Sequence, residues 1–315
     1  LTSYDTKILL VLAISILIST ILGILFPSTG ELFSPYILII LGLLLFLNLI
    51  QLDFQDLISI FRNPKLLLIL SILKVIIIPV VMYFVTNLIN PKYALSVLLL
   101  SGISTGLGAP FVTNYVRGRL SIIVGMVIIT SLAVPFVLPT LVYVLYNTEF
   151  SIPVFDMILL LIVSLVVPLV GSGIIKKYLP GLATSINKSS LPLSILLMDL
   201  INFAIFSKFS SYFYLELPFV INTTILAFVL FSTFAITGYL IFYFMNKDSD
   251  SSTKDKISGL IALSYVNNIL VTVFAQQFFG SQVAALAAFY NMPYYIGIIF
   301  LKILSSKLIK SSSSE

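Results

Sequence analysis

The chain contains no cysteine and no histidine, and only 9% of its 315 residues carry charge. Without cysteine there is no thiol nucleophile, disulfide or thiolate metal site. Without histidine there is no imidazole ligand and no base for a Ser-His pair. Little enzymatic chemistry is left, and the chain reads as a non-enzyme that needs no cofactor. The scarcity of charge excludes a water-facing surface, because a soluble domain carries about 25% charged residues. What is present instead is a 59% hydrophobic fraction, in apolar stretches that recur along nearly the whole length. That pattern describes an all-α polytopic membrane protein, not a soluble domain on one anchor.

The net charge of +5 does not indicate a nucleic-acid partner, because the basic residues are spread over loops with no basic face interleaved with aromatics. The first apolar run, Ile8 to Phe26, is longer than a signal-peptide core and lacks a small-residue cleavage pattern before Pro27. It reads as a retained helix.

A membrane-spanning helix needs about 20 apolar residues. Breaking the chain at charges, Pro and Gly gives ten spans, near 7–26, 36–51, 65–87, 93–116, 120–146, 154–175, 190–211, 218–246, 257–279 and 282–305. Nine or eleven are the alternatives, since the hydrophobic signal hardly drops at Arg117-Gly118-Arg119. With ten spans and a cytoplasmic N-terminus, 14 of the 17 basic residues fall on the cytoplasmic side, Lys92 and Lys208 on the other, and Lys74 inside a helix. Such a bias is the positive-inside pattern. It places both termini in the cytoplasm and the protein in the cell (inner or plasma) membrane.

Ten helices divide at the loop Asn147 to Pro153 into two halves of five, 1–147 and 148–315. An odd number per half makes the second enter from the opposite face, the inverted-repeat plan of many secondary transporters. The polar interruption Ser104 to Pro110 in span 4 returns as Ser264 to Asn268 in span 9, and Pro135 in span 5 is answered by Pro293 in span 10. The alternative is that Gly, Pro and Asn scatter through membrane helices without repeat.

Span 4 reads Ser101-Gly102-Ile103-Ser104-Thr105-Gly106-Leu107-Gly108-Ala109-Pro110 and is hard to keep as one helix. A break at Leu107 to Ala109, with a half-helix starting at Pro110, would leave the N–H groups of Phe111 and Val112 unpaired. Such N–H groups, at the positive end of a helix dipole, form an anion site. Thr105, Gly106, Leu107, Gly108, Ala109, Pro110, Phe111 and Val112 are therefore candidate substrate-binding residues. Asn267 and Asn268 in span 9 and Asn291 in span 10 join them, with helix-to-helix hydrogen bonding as the other reading of the carboxamides. Two full charges, Lys74 in span 3 and Asp199 in span 7, fall at membrane depth. They are candidate ion-coupling groups, or else a structural ion pair.

Leu52-Asp53-Phe54, Arg62-Asn63-Pro64-Lys65, Gly106-Leu107-Gly108-Ala109-Pro110 with Arg117-Gly118, Pro135, Pro139 and Tyr265-Val266-Asn267-Asn268 together resemble the bile acid:sodium symporter family. The resemblance implies a panel domain of spans 1, 2, 6 and 7 and a core domain of spans 3–5 and 8–10. It also implies interrupted helices 4 and 9 crossing in that core, and alternating-access transport of a small organic anion, often a carboxylate. A monomer in the lipid bilayer is expected.

Family sodium ligands would fall on Ala109, Pro110, Ile123 and Val127, and on Ala262, Val266 and Lys74. No side-chain oxygen stands at any of these positions, whereas a hard cation needs an oxygen shell. The expectation is that Lys74 replaces the bound cation, with H+ or no coupling ion in preference to Na+. An arsenite or auxin-type efflux carrier is the runner-up, weakened in its arsenite branch by the absence of cysteine. A channel is the alternative from another class.

Overall fold

The computed structural model describes residues 3–50, 64–146, 153–245 and 253–312. Among these the chain is helical, and its one strand-like contact is an isolated bridge between Thr105 and Val266. Seven helical stretches are long and apolar enough to cross a bilayer: Pro27–Ile50, Pro64–Ile89, Leu120–Tyr146, Val154–Tyr178, Pro180–Leu215, Leu217–Phe244 and Ser281–Ile303. Val11–Leu25 and Asn268–Phe279 are shorter apolar helices. Large apolar side chains stand exposed along these stretches, Leu88 at 86% and Leu215 at 81% among them. In water such a surface would aggregate, and lipid is the solvent it fits.

In chain order the helices are α1 (Ser3–Leu25), α2 (Pro27–Glu31), α3 (Ile37–Ile50), α4 (Pro64–Ile72), α5 (Ile78–Ile89), α6 (Ala94–Gly102), α7 (Ala109–Val116) and α8 (Leu120–Tyr146). They continue as α9 (Val154–Leu161), α10 (Val167–Tyr178), α11 (Pro180–Leu215), α12 (Leu217–Met245), α13 (Thr253–Ser264), α14 (Asn268–Phe279), α15 (Ser281–Phe289) and α16 (Asn291–Ser312).

Two junctions are single π-helical turns, Leu73–Ile77 between α4 and α5 and Ile162–Val166 between α9 and α10. Each is followed two residues later by a proline, Pro79 or Pro168. The missing proline N–H and the ring's clash with the carbonyl four residues back favour a wider turn. Lys74 sits in the first of these turns.

Several boundaries differ from the sequence reading. The break in span 4 covers Ile103 to Gly108, earlier and longer than expected, and the second half starts at Ala109 with Pro110 in its first turn. Span 7 is the 36-residue α11, which begins at Pro180 and takes in Lys188, so that Lys188 belongs to a helix and not to a loop. Its polar run Thr184 to Ser190 reads as loop in sequence, yet hydroxyls such as Thr184 and Ser185 bond back to the carbonyls of Pro180 and Gly181 and stay helical. Pro135 and Pro139 lie inside an unbroken α8, whereas span 10 is interrupted at Tyr290, three residues before Pro293. The Leu52-Asp53-Phe54 and Arg62-Asn63 motifs lie outside the described residues.

The chain forms two compact units. The first comprises the described residues of Leu1–Asp53, Pro153–Thr223 and Ile269–Ala288; the second comprises those of Phe54–Ile152, Thr224–Asn268 and Phe289–Glu315. In the first, α1 packs along α11 closely enough that a Cβ on Gly23 would lie 2.7 Å from the Phe203 carbonyl oxygen. Small residues at such contacts let membrane helices approach. In the second, α6 packs on α5, and α13 packs on α7, α8 and α16.

Candidate functional site

The site lies in the second unit, where two interrupted helices meet. Thr105 and Val266 form an antiparallel bridge. On either side of it the Gly106 N–H donates to the Tyr265 carbonyl at 2.7 Å, and the Asn267 N–H donates to the Ser104 carbonyl at 3.0 Å. Each break therefore supplies hydrogen-bond partners to the other, as unwound backbone at membrane depth requires. Side chains complete the set. The Thr105 N–H donates to Thr130 Oγ1 at 3.0 Å, Thr105 Oγ1 donates to the Ala262 carbonyl at 2.9 Å, and the Tyr290 hydroxyl donates to the Ser264 carbonyl at 2.8 Å.

Only glycine fits at position 106, because a Cβ there would stand 2.6 Å from the Val266 carbonyl oxygen and 2.9 Å from its carbon. Both are backbone atoms of the opposite break and cannot rotate away.

The crossing is sealed. Thr105, Gly106, Leu107, Ala109, Pro110 and Val112 are buried, and Gly108 and Phe111 are half-buried. The expected unpaired N–H at Val112 is corrected: it donates to the Gly108 carbonyl at 3.2 Å, and the Ala109 N–H donates to the Gly106 carbonyl at 3.0 Å. The extra non-helical residues fold back and cap α7 themselves, which is how chains usually satisfy a helix N-terminus when no ligand does.

Among the carboxamides, Asn268 Nδ2 donates to Asn291 Oδ1, which joins α14 to α16. Asn267 and Asn268 are buried and Asn291 half-buried. One helical turn beyond Asn291, Tyr294 presents its hydroxyl to Gly108, where a Cβ would come within 2.6 Å of it. The Tyr294 ring also packs edge-on against Tyr265, with centroids 4.7 Å apart. One face of α16 thus reaches both breaks. Sequence reading missed Tyr265, Tyr290, Tyr294 and Thr130; the spacing of Tyr290 and Tyr294 around Pro293 was the available signal, since residues four apart share a helix face.

Lys74 is 1% exposed. Its ammonium donates to the Ser101 carbonyl at 2.9 Å and stands 5.6 Å from the centre of the Phe234 ring. Ser101 is the penultimate residue of α6, where carbonyls lack intrahelical partners and the dipole is negative. Half-helix C-terminal ends of this kind hold coupling cations in transporters; here an ammonium occupies the place. The described residues of the second unit include one acid, Asp255, and it pairs with Arg119 at 2.9 Å. Lys74 therefore has a carbonyl and an aromatic face in that unit, with no carboxylate.

The positions expected to hold sodium do not fit it. Ala109, Ile123, Val127 and Ala262 are fully buried aliphatic side chains, Val266 is 1% exposed, and Pro110 is buried. None offers a side-chain oxygen. Among the described residues no group of three or more carboxylate ligands exists either. Asp199 belongs to the first unit, on α11, with Ser19 Oγ 3.5 Å from its Oδ1.

Comparison with known protein families matches residues 38–216, more than half of the chain, to the sodium bile acid symporter family. The chain belongs to the sodium bile acid symporter family. A comparison with curated proteins finds no match. Membership makes this a multi-pass membrane protein of a transporter family. The matched stretch of this symporter-family chain contains Lys74, Asp199 and the whole break of span 4, while the break of span 9 lies beyond it.

Proposed function

We propose that this member of the sodium bile acid symporter family is a secondary active transporter of an organic anion, working by alternating access without sodium. The observation that carries the reading is the ammonium of Lys74 on the Ser101 carbonyl at the end of a broken helix. A permanent positive charge there does the electrostatic work of a bound cation. The buried aliphatic side chains at the expected sodium positions support the same conclusion.

In this reading the ten spans form two inverted repeats, 1–147 and 148–315. Support comes from the matched anatomy of α6–α7 and α13–α14, two short helices on either side of a non-helical break in each half. Spans 1, 2, 6 and 7 act as the panel and spans 3–5 and 8–10 as the core, in a monomer with both termini on the cytoplasmic side of the cell membrane. The substrate lies beside the crossing, against the half-buried Gly108, Phe111 and Asn291 and their neighbours Asn267 and Asn268.

The test is uptake of labelled organic anions, from a short carboxylate to a steroid carboxylate, into proteoliposomes. Saturable uptake with counterflow is expected; unsaturable current would speak for a channel instead.

A further inference from the structure

We propose that Asp199 and the hydroxyls around it form a proton-binding site of the first unit, built by α1 and α11 alone. It stands on that unit's own contacts and does not rest on the transport reading.

Asp199 is about 28 Å along α11 from Pro180 and about 24 Å from Leu215 by helix rise, so its carboxyl lies deep within the span. Its neighbours are Ser15 and Ser19 of α1, with Ser19 Oγ 3.5 Å from Asp199 Oδ1. Each serine has one hydroxyl hydrogen, and each has a closer acceptor: Ser15 donates to the Leu12 carbonyl at 3.2 Å and Ser19 to the Ile16 carbonyl at 3.0 Å. Asn202, one turn along α11, spends its amide hydrogens on the Ile16 carbonyl, Ser19 Oγ and Thr20 Oγ1 at 3.2, 2.9 and 2.7 Å. The hydroxyls therefore turn lone pairs toward the carboxyl. A group surrounded by acceptors must itself donate, and a carboxylic acid does so with its O–H.

The same cluster accommodates the ionised form. When the proton leaves, Ser19 rotates its hydrogen from the Ile16 carbonyl to Asp199. The Ile16 carbonyl keeps Asn202 as a donor, so no buried acceptor is orphaned. A site that satisfies both states can bind and release a proton at low cost. Binding forms one O–H bond on the carboxylate and release breaks it, with no other reactant.

No charged neighbour substitutes for the proton. Asp5 and Lys7 belong to the beginning of α1, at least two turns before Ser15. Glu31 ends α2, whose Gly30 packs at the level of Phe203 and Ser207, one to two turns from Asp199. Helix α3 carries no titratable side chain. In α10, Lys176 reaches toward the Leu49 carbonyl and Lys177 lies over the Tyr178 ring. On α11 itself, Lys188 and Lys208 stand about 16 and 13 Å away along the axis, and Tyr212 and Tyr214 lie near its end.

The experiment is infrared titration of the purified full-length chain in lipid nanodiscs, following the C=O stretch of a protonated carboxylic acid. The site predicts such a band near neutral pH, well above the ordinary aspartate range near about pH 4. The band should shift on [13C]aspartate labelling, vanish in Asp199→Asn and move in Ser19→Ala as the acid loses its acceptor. The labelling and Ser19→Ala arms keep the test decisive if Asp199→Asn fails to fold. Absence of the band, or insensitivity to labelling and to Ser19→Ala, would overturn the proposal. So would loss of the band when sodium chloride replaces choline chloride, since a metal cation would then occupy the cluster.

Discussion

The Lys74 ammonium and the Ser101 carbonyl meet at 2.9 Å, on a π-turn of one helix and at the broken end of another. Three local facts produce the meeting. Pro79 widens the turn that carries Lys74, Gly102 and Ile103 end α6 and leave its last carbonyls without partners, and Phe234 offers its ring face to the cation. An isolated buried charge is costly; here a helix C-terminus and a ring quadrupole offset part of that cost.

Replacing Lys74 with Met tests whether the lysine serves structure or transport. Met keeps the stem's packing and removes a buried charge, a change that often leaves stability unaltered or raised, while the Ser101 carbonyl loses its donor at about 1–3 kcal/mol. The expected outcome is a thermal midpoint within a few degrees of the parent and uptake reduced at least about tenfold. Thermal unfolding and proteoliposome uptake on the same preparation check it.

At Gly106 an added methyl meets backbone of the opposite break, so Gly106→Ala should cost about 1–3 kcal/mol as overpacking does and lower uptake with it. Gly42, which has nothing within 4 Å of its Cβ position, is the control. Gly42→Ala should be neutral or stabilising by up to about 1 kcal/mol, the helix propensity difference.

How much of this was legible in the sequence follows from what each residue type fixes locally. The interruption of span 4 was visible because three glycines and Pro110 cannot make a good helix. Its extent was not, because the length of the break is set by pairing with Tyr265 and Asn267, 161 or more residues away in the chain. Lys74 and Asp199 were visible as charges in apolar runs. Their neighbours, Ser101, Phe234, Ser19 and Asn202, depend on which helices pack, and periodicity does not carry that. The start of α11 was misread because Ser, Thr and Asn favour loops by propensity, yet in a helix their hydroxyls can return to carbonyls four residues back.

Asp255, at the start of α13 and outside the apolar span, supplies a pH test. Burial raises its carboxyl above the usual range, and the Arg119 guanidinium opposes this only in part. A folded-state value above the unfolded one means that the folded protein holds the proton longer. Asp255 therefore contributes stability below the unfolded value of 3.8, and that contribution is lost as pH rises through the folded value. Unfolding midpoints of the parent relative to Asp255→Asn should fall as pH rises through the carboxylate range and then level off; a flat difference would contradict the assignment.

Asn291 joins the second break through Asn268 and is half-buried. Asn291→Ala should raise the apparent KM for the transported anion about tenfold, equivalent to about 1.4 kcal/mol, with little change in unfolding midpoint. Uptake kinetics over a range of substrate concentrations separate this from a loss of folded protein, which would lower the maximal rate alone.

The central claim is that a lysine stands where the family uses a cation. Its most direct measurement is organic-anion uptake into proteoliposomes with an inward sodium gradient and with choline in its place, for the parent and for Lys74→Gln. The account predicts equal uptake by the parent in sodium and in choline, and loss of uptake in Lys74→Gln. Strict dependence of the parent on sodium, or unchanged uptake by Lys74→Gln in choline, would contradict it.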